Sequence, residues 1–457
     1  MDKINHNKPT GSNKIVYTGG QMMKRKLATL TILLLGMAFS GNAGAVELGQ
    51  GKVDIHGFIT QGYLVTDENN FMADTEGNGS FQYSEAGVNF ASDVSERLRL
   101  GVQFIARDLG KMGNKEVSID WAVADYSVND WLNFRAGKGK LSHGLYNYER
   151  DVDMLRASVL LPQSVYTEGW RDSVNAINGI SAYGYLPIGP VGNLTYHVDL
   201  GNTSVKNDGG EIRQLEDTMP KALGLEVSEA DTKTTLGGQL AWDTIFGIDG
   251  LKIAASGFNF EMDAVSSIYD GTGAPLFGGT PPAQVGVLKN RETTVFNLKL
   301  LSTVGSLEFA RGNFVFAAEY MNNDYEMTLP TTVAGTIHRK FDAIGYYGSI
   351  SYRFNDWLEL GTYYSEYYRD KDDKDGDKAL AAGLVDQKYA MYLKDLCLSA
   401  RFDITPNWIF KLEGHLMEGT ALLYSSDDNT VTLGDGTVQT DYEKDWFMTA
   451  AKVSYSF

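Results

Sequence analysis

Trp446–Phe457 reads WFMTAAKVSYSF, and these twelve residues decide how the rest of the chain is read. Side chains alternate between the two faces of an extended strand. Phe447, Thr449, Ala451, Val453, Tyr455 and Phe457 therefore share one face, and Ala450, Lys452, Ser454 and Ser456 share the other. One face is apolar and the other small or polar. By itself the pattern also fits an edge strand of a soluble β-sandwich, since antiparallel sheets often have one wet face.

The other end of the chain narrows the choice. Lys24, Arg25 and Lys26 precede an apolar run, Leu27–Phe39, and Ala43-Gly44-Ala45 follows it. A basic segment, a short apolar core and a small-residue cleavage site make a secretory signal peptide, and the core is too short for a permanent membrane anchor. Residues 1–21 are polar, so Met22 or Met23 is the expected translation start. Residues 1–45 are expected to be removed, leaving one domain, 46–457, that begins near Val46.

Residues 1–45 carry six Lys and Arg and one Asp, so of the chain's 40 basic and 58 acidic residues the exported part keeps 34 and 57, a formal net charge of −23. Such acidity repels phosphate backbones and argues against a nucleic-acid partner. It suits solvated loops that meet lipopolysaccharide through divalent cations. Cys397 is the only cysteine, so no intrachain disulfide can form, and a small wall residue is its expected role. No stretch of 46–457 approaches the run of about eighteen apolar residues that a membrane helix needs. Yet the chain has 25 Tyr, 21 Phe, 7 Trp and 50 Gly, a mixture suited to barrel walls with interfacial aromatics and a close-packed polar interior. Two-sided strands can satisfy their backbone groups inside lipid only by closing on themselves. The expected fold is all-β, an antiparallel up-and-down transmembrane β-barrel.

Strand number follows from the punctuation. Asn129-Asp130-Trp131-Leu132, Asn355-Asp356-Trp357-Leu358 and Pro406-Asn407-Trp408-Ile409 each put turn formers before an aromatic residue. Asn, Asp and Pro are turn residues for mechanistic reasons, and Trp prefers the membrane–water boundary. Further short turns are expected at 92–96, 187–192, 243–250 and 311–312. Longer polar connections are expected at 66–80, 108–116, 141–174, 203–232, 262–291, 323–340, 369–391 and 419–445. Together they join sixteen strands, or eighteen if 203–232 or 262–291 hides a hairpin. Thr430–Thr440 (TVTLGDGTVQT) reads as a hairpin placed above the membrane.

Several strands alternate cleanly. Leu98, Leu100, Val102, Phe104 and Ala106 oppose Arg97, Arg99, Gln103 and Arg107. Trp408, Phe410, Leu412 and Leu416 oppose Lys411, Glu413 and His415. Leu396, Leu398, Ala400 and Phe402 oppose Ser399, Arg401 and Asp403. An Arg or Lys facing lipid at mid-bilayer costs roughly 2–4 kcal/mol, so the charged faces must line a polar lumen. Val53–Val65 and Val117–Val128 lose phase midway, and a β-bulge in each would explain it.

Signal segment, alternating strands, short Asn/Asp-Trp turns and the terminal Phe457 together resemble the porins of Gram-negative outer membranes, of the sixteen-stranded general or substrate-selective kind. The likeness in architecture covers all of 46–457 and extends to uncharacterised putative porins. It implies a water-filled channel for passive diffusion of ions and small hydrophilic solutes, set in outer-membrane lipid and lipopolysaccharide. A homotrimer is the usual state of such proteins. It also implies that the terminal aromatics, Phe457 and Tyr455, are read by the barrel-assembly machinery. Leu141–Val174, with Gly144-Leu145-Tyr146-Asn147-Tyr148-Glu149-Arg150-Asp151 and Leu161-Pro162-Gln163-Ser164-Val165-Tyr166, resembles the third loop of porins, which folds inward and narrows the pore. In that arrangement Glu149, Asp151 and Asp153 would face Arg99, Gln103, Arg107 or Arg135 across the constriction. Charges set selectivity there because a passing ion stays within a screening length of about 8 Å. A structural role competes: Arg150 and Arg156 would pair with these acids and pin the loop.

Other chemistry is thin. Asp370–Lys378 (DKDDKDGDK) fails as a calcium loop: with Gly376 sixth, the first and twelfth positions are Lys371 and Ala382. The histidines are scattered and no G-x-S-x-G occurs. His415 beside Glu413 and Ser399 is the only hint of a barrel enzyme, and a charged lumen wall accounts for it. No catalytic, cofactor or metal residue is expected. A solute-selective channel using Tyr146, Tyr148 and Tyr166 as a stacking path, an outer-membrane enzyme and an adhesin are the alternatives.

Overall fold

The computed structural model describes residues 46–48, 51–110, 113, 115–174, 176–207, 209–218, 225–269, 291–331, 335–424, 429–432 and 438–457. The expected signal segment, 24–45, lies outside the described residues. The first eight strands are β1 Gly51–Thr66, β2 Tyr83–Ser95, β3 Leu98–Leu109, β4 Val117–Asn129, β5 Leu132–Lys140, β6 Ala176–Pro187, β7 Asn193–Asn202 and β8, which comprises Glu226–Thr232 and Thr234–Asp243. The second eight are β9 Leu251–Tyr269, β10 Arg291–Arg311, β11 Phe314–Thr331, β12 Gly335–Asn355, β13 Leu358–Tyr368, β14 Tyr392–Thr405, β15 Trp408–Gly419 and β16 Asp445–Ser456. Each pairs antiparallel with the next, and β16 pairs with β1 from Phe58↔Ser456 to Thr66↔Met448, which closes the ring. Among the described residues the barrel has sixteen strands. Two further strand segments do not add to that number: Val46–Leu48 folds back on β1, and β8 is one strand interrupted at Lys233.

The seven short turns fall where the turn residues put them. Asn355 explains one of them: its side-chain oxygen accepts from the backbone N–H of Trp357 and Leu358 at 3.0 and 2.9 Å. Asn129 accepts from Trp131 at 3.1 Å, and Thr405 takes the same role before Trp408 at 3.1 Å. Trp131 and Trp357 are about half exposed at this end of the barrel, and Trp357, Phe402 and Phe410 stack in sequence. This is the aromatic belt expected at a membrane–water boundary. Thr430–Thr432 pairs with Val438–Thr440 as a separate two-stranded sheet, the hairpin read at Thr430–Thr440.

Two expectations are corrected. The connections placed at 262–291 and 323–340 are shorter, because β9 to β12 run on to Tyr269, Arg291, Thr331 and Gly335. In these extensions the two faces exchange character. Phe260, Met262, Phe296, Leu298, Leu300, Met327 and Leu329 are buried on the inner face, whereas Asp263, Lys299, Asp324, Glu326 and Lys340 lie outward. Polar residues facing out are stable only beyond the hydrocarbon layer, so these strands rise above it. The second correction concerns phase. β4 does carry the bulge, where Gln103 and Phe104 face Trp121 and Ile119 and Asp120 is the extra residue. β1 carries none in its pairing with β2 or β16. It loses phase because apolar Leu64 faces inward, where it is fully buried in a cluster that includes Val159 and Leu160.

Candidate functional site

β5 ends at Lys140, and the chain then runs through Leu141–Val174 before re-entering the wall near Ala176. This segment bonds to inward-facing side chains on strands around the ring, which places it inside the barrel. Three anchor groups hold it.

The first is built on Glu319 of β11, which is 3 % exposed. Its carboxylate accepts from the Leu145 backbone N–H at 2.8 Å, Ser306 Oγ at 2.6 Å, Tyr347 OH at 2.7 Å and Tyr166 OH. Gly144 makes the approach possible: its φ is +59°, and a Cβ there would collide with the Tyr166 hydroxyl and Glu319. Its N–H donates to Ser256 at 2.8 Å, and its carbonyl accepts from Gln239 at 2.7 Å.

The second anchor is a charge network beside β2 to β5. Asp151 pairs with Lys140 and with Arg171, and Lys140 also reaches Asp120 at 2.8 Å. Glu168 binds Arg150 at 2.9 Å, Arg171 at 3.2 Å and Arg107 at 3.3 Å, while Arg171 contacts Glu85 at 2.6 Å. Four acids and four bases are thus matched, which a buried network requires. Gln103 belongs to its edge, donating to Asp120 at 2.8 Å.

The third anchor lies on β15 and β16, one strand beyond the second. Lys411 of β15 and Lys452 of β16 are direct register partners, and both are essentially fully buried. Like charges placed opposite one another destabilise a sheet unless an anion comes between them. Asp153 supplies it, at 2.9 Å from Lys411 and 2.6 Å from Lys452, and accepts from Ser454 at 2.7 Å. Arg156 stands 3.6 Å away. Lys411 also donates to the carbonyls of Asp153 and Ser158 at 2.7 and 3.0 Å. The backbone N–H groups of Val159 and Leu160 then donate to Glu413 at 2.6 and 3.0 Å.

Burial alone would raise the pKa of Asp151, Asp153 and Glu168, but their cations outweigh it. Lys140 and Arg171 hold Asp151 well below the usual carboxylate range, Lys411, Lys452 and Arg156 do so for Asp153, and Arg150, Arg171 and Arg107 for Glu168. His143, buried between Tyr166 and Phe258, is pushed down to about 4 by the loss of water and is neutral.

The residues expected at the constriction therefore divide. Asp151 and Asp153 are buried and face Lys140, Arg171, Lys411 and Lys452 rather than Arg99 or Arg135. Arg107 joins the loop through Glu168. Arg135 bonds Asp125 at 2.8 Å and Tyr148 OH at 3.5 Å, with its guanidinium over the Tyr183 ring. Arg99 pairs with Asp93 at 3.0 Å next to the β2–β3 turn, at the short-turn end of the barrel and away from the loop. Glu149 is exposed. Of the three tyrosines, Tyr166 is buried on Glu319, Tyr146 reaches Glu308 at 3.3 Å, and only Tyr148 is exposed, against His197. Tyr455 of β16 packs on Trp408 at 4.7 Å between ring centres and pairs with Ile59 of β1. Glu319, Lys452 and Arg171 escaped the sequence reading. For Lys452 a signal existed: a lysine of inward parity on the last strand, beside a neighbouring strand with Lys411 of the same parity, calls for a carboxylate from elsewhere.

No family model and no curated protein matches the sequence. Solved structures do match. An outer-membrane-expressed OmpT of Vibrio cholerae superposes with a TM-score of 0.51 at 12% identity, covering 91% of this chain and 100% of that one. OmpF of Salmonella typhi, in a complex with daunomycin, gives the same TM-score, identity and coverage. An anion-selective porin of Comamonas acidovorans has a TM-score of 0.47 at 10% identity, covering 89% and 100%. At this identity the likeness concerns the fold, and it agrees with the closed ring of sixteen antiparallel strands: the chain is an all-β barrel built like those structures.

Proposed function

We propose that the protein is an outer-membrane porin, a channel for passive diffusion of ions and small hydrophilic solutes. The observation that supports it best is the pairing of an apolar outer face with a charged inner one around a closed ring. Leu398, Leu412 and Leu416 face out beside Arg401, Lys411 and Glu413 facing in. Within the lumen the third loop is the constriction, with Glu149 and Tyr148 on its exposed side and Arg135, Asp125 and Tyr183 on the wall. Transport of this kind needs no cofactor and no covalent step, and no enzyme is proposed. The exported chain starts near Val46, meets lipid and lipopolysaccharide, is inserted by the barrel-assembly machinery through Phe457 and Tyr455, and assembles as a homotrimer.

Purified protein added to a planar bilayer should give discrete, ohmic conductance steps. Protein that inserts as a folded barrel yet leaves the bilayer insulating would overturn the reading. One cluster favours a second reading, a solute-selective channel. Tyr148, His197 and Tyr183 adjoin one another with Arg135 beside them, a surface able to stack on a ring and hold an anionic or hydroxylated group. Saturable block of the current by one sugar or organic anion would mark that case.

A further inference from the structure

Cys397 of β14 and His415 of β15 are register partners on the inner wall, exposed 0 % and 1 %. Glu413, two residues before His415 and therefore on the same face, is buried to the same degree. Cysteine sulfur, imidazole nitrogen and a carboxylate oxygen of the three lie within 4.8 Å of one another. Glu413 stands 2.9 Å from His415 Nε2 and 3.8 Å from Cys397 Sγ. On the far side of the ring, His415 Nδ1 is 3.0 Å from Asp395, which accepts from Tyr363 OH at 2.8 Å.

We propose that this cluster is a metal site for a zinc-like divalent ion, bound by the Cys397 thiolate, His415 Nε2 and the Glu413 carboxylate. Asp395 would orient the imidazole from behind. Zinc takes sulfur at about 2.3 Å and nitrogen or oxygen at about 2.0–2.2 Å in a tetrahedron, so its donors stand about 3–4 Å apart. Glu413 Oε1 is 2.9 Å from His415 Nε2 and Glu413 Oε2 is 3.8 Å from Cys397 Sγ, and one donor atom from each residue lies within 4.8 Å of the others, which a small movement brings to that spacing. A carboxylate on the second ring nitrogen is the usual partner of a zinc-ligating histidine, and Asp395 with Tyr363 behind it meets that need. As the sulfur takes the ion, the Cys397 thiol proton passes to water. Cysteine, histidine and glutamate together suit zinc better than calcium or magnesium, which prefer oxygen alone.

The ligands come from two strands, at a cross-strand pair and an i, i+2 pair, and so show no metal-binding spacing along the sequence. Their position gives the ion a role. Glu413 also holds the backbone of Val159 and Leu160, so a metal on its carboxylate would staple the third loop to the wall.

The test uses full-length folded protein, stripped with a chelator and titrated with cobalt(II) or zinc. Expected are one ion per chain, a sulfur-to-cobalt charge-transfer band, and displacement of cobalt by zinc. Cys397→Ser should remove the band, and Cys397→Ser and His415→Gln should each weaken zinc binding at least tenfold. His56→Gln, in exposed β1 wall, should bind as the parent does. Cys397→Ser changes one buried atom, and its folding is checked by strand circular dichroism before titration. Cobalt bound without the charge-transfer band, or zinc affinity unchanged in folded Cys397→Ser, overturns the site. Metal content is read without any current, so its failure is distinct from failure of the channel reading.

Discussion

Asp153 is the residue on which most of the loop's docking converges, since one carboxylate separates two buried lysines on adjacent strands. Removing one member of a buried pair leaves an uncompensated charge, at roughly 3–5 kcal/mol. Asp153→Asn should therefore lower the thermal unfolding midpoint and speed protease cleavage within 141–174. Unchanged cleavage and midpoint would show that Lys411 and Lys452 are neutralised by another route. Acidification should act in the same direction but late. Asp151, Asp153 and Glu168 titrate below their unfolded values, so their contribution is complete above the ordinary carboxylate range near about 4. It fades as pH falls through the lower folded values. Conductance should thus be steady from neutral pH down to about 4 and change only in stronger acid. Glu149 is exposed and makes none of these buried pairs. Glu149→Gln should reduce cation preference, read from reversal potentials in a salt gradient, with no loss of stability beyond about 0.5 kcal/mol. Asp151→Asn should act mainly on stability, because its charge is spent on Lys140 and Arg171.

At the scale of elements, the third loop works as a plug for a wall that is otherwise too charged to bury. Its apolar residues, Val159, Leu160, Leu161 and Val165, pack on inward Leu64, Phe258 and Met448 in one cluster. Its polar ends neutralise the strands. Deleting residues 145–170 should raise single-channel conductance and admit larger solutes, while exposing Lys411 and Lys452 to water. Equal conductance with and without the segment would place the narrowest section elsewhere. The extensions of β9 to β12 belong to the same scale. Their sequence resembles a loop because the outward face turns polar, while the inner face turns apolar to receive Trp170 and the helix Gly210–Thr218. Periodicity was present, but its sense was inverted above the membrane.

For the whole molecule, closure is the event that removes both edges of the barrel sheet, and β16 supplies it by pairing with β15 and β1 at once. Correct delivery of that last strand should decide yield. Phe457→Ala should lower the amount of folded barrel in the outer membrane and leave aggregates behind, measured by cell fractionation and surface labelling. Normal surface yield would separate closure from the terminal aromatic.

The fold class, the sixteen strands and all seven short turns were legible in the residues themselves. Those features depend on local alternation and on turn chemistry such as that of Asn355, which act over a few neighbours. What the charges do was decided by the tertiary structure. Asp151, Asp153 and Glu149 sit within five positions of one another, yet two are buried in ion pairs and one is exposed. Their partners lie on β5, β15 and β16, more than 250 positions away in two cases, and only ring closure brings Lys411 and Lys452 to Asp153. Parity says which face a side chain takes. It cannot say what a loop crossing the lumen will place against it.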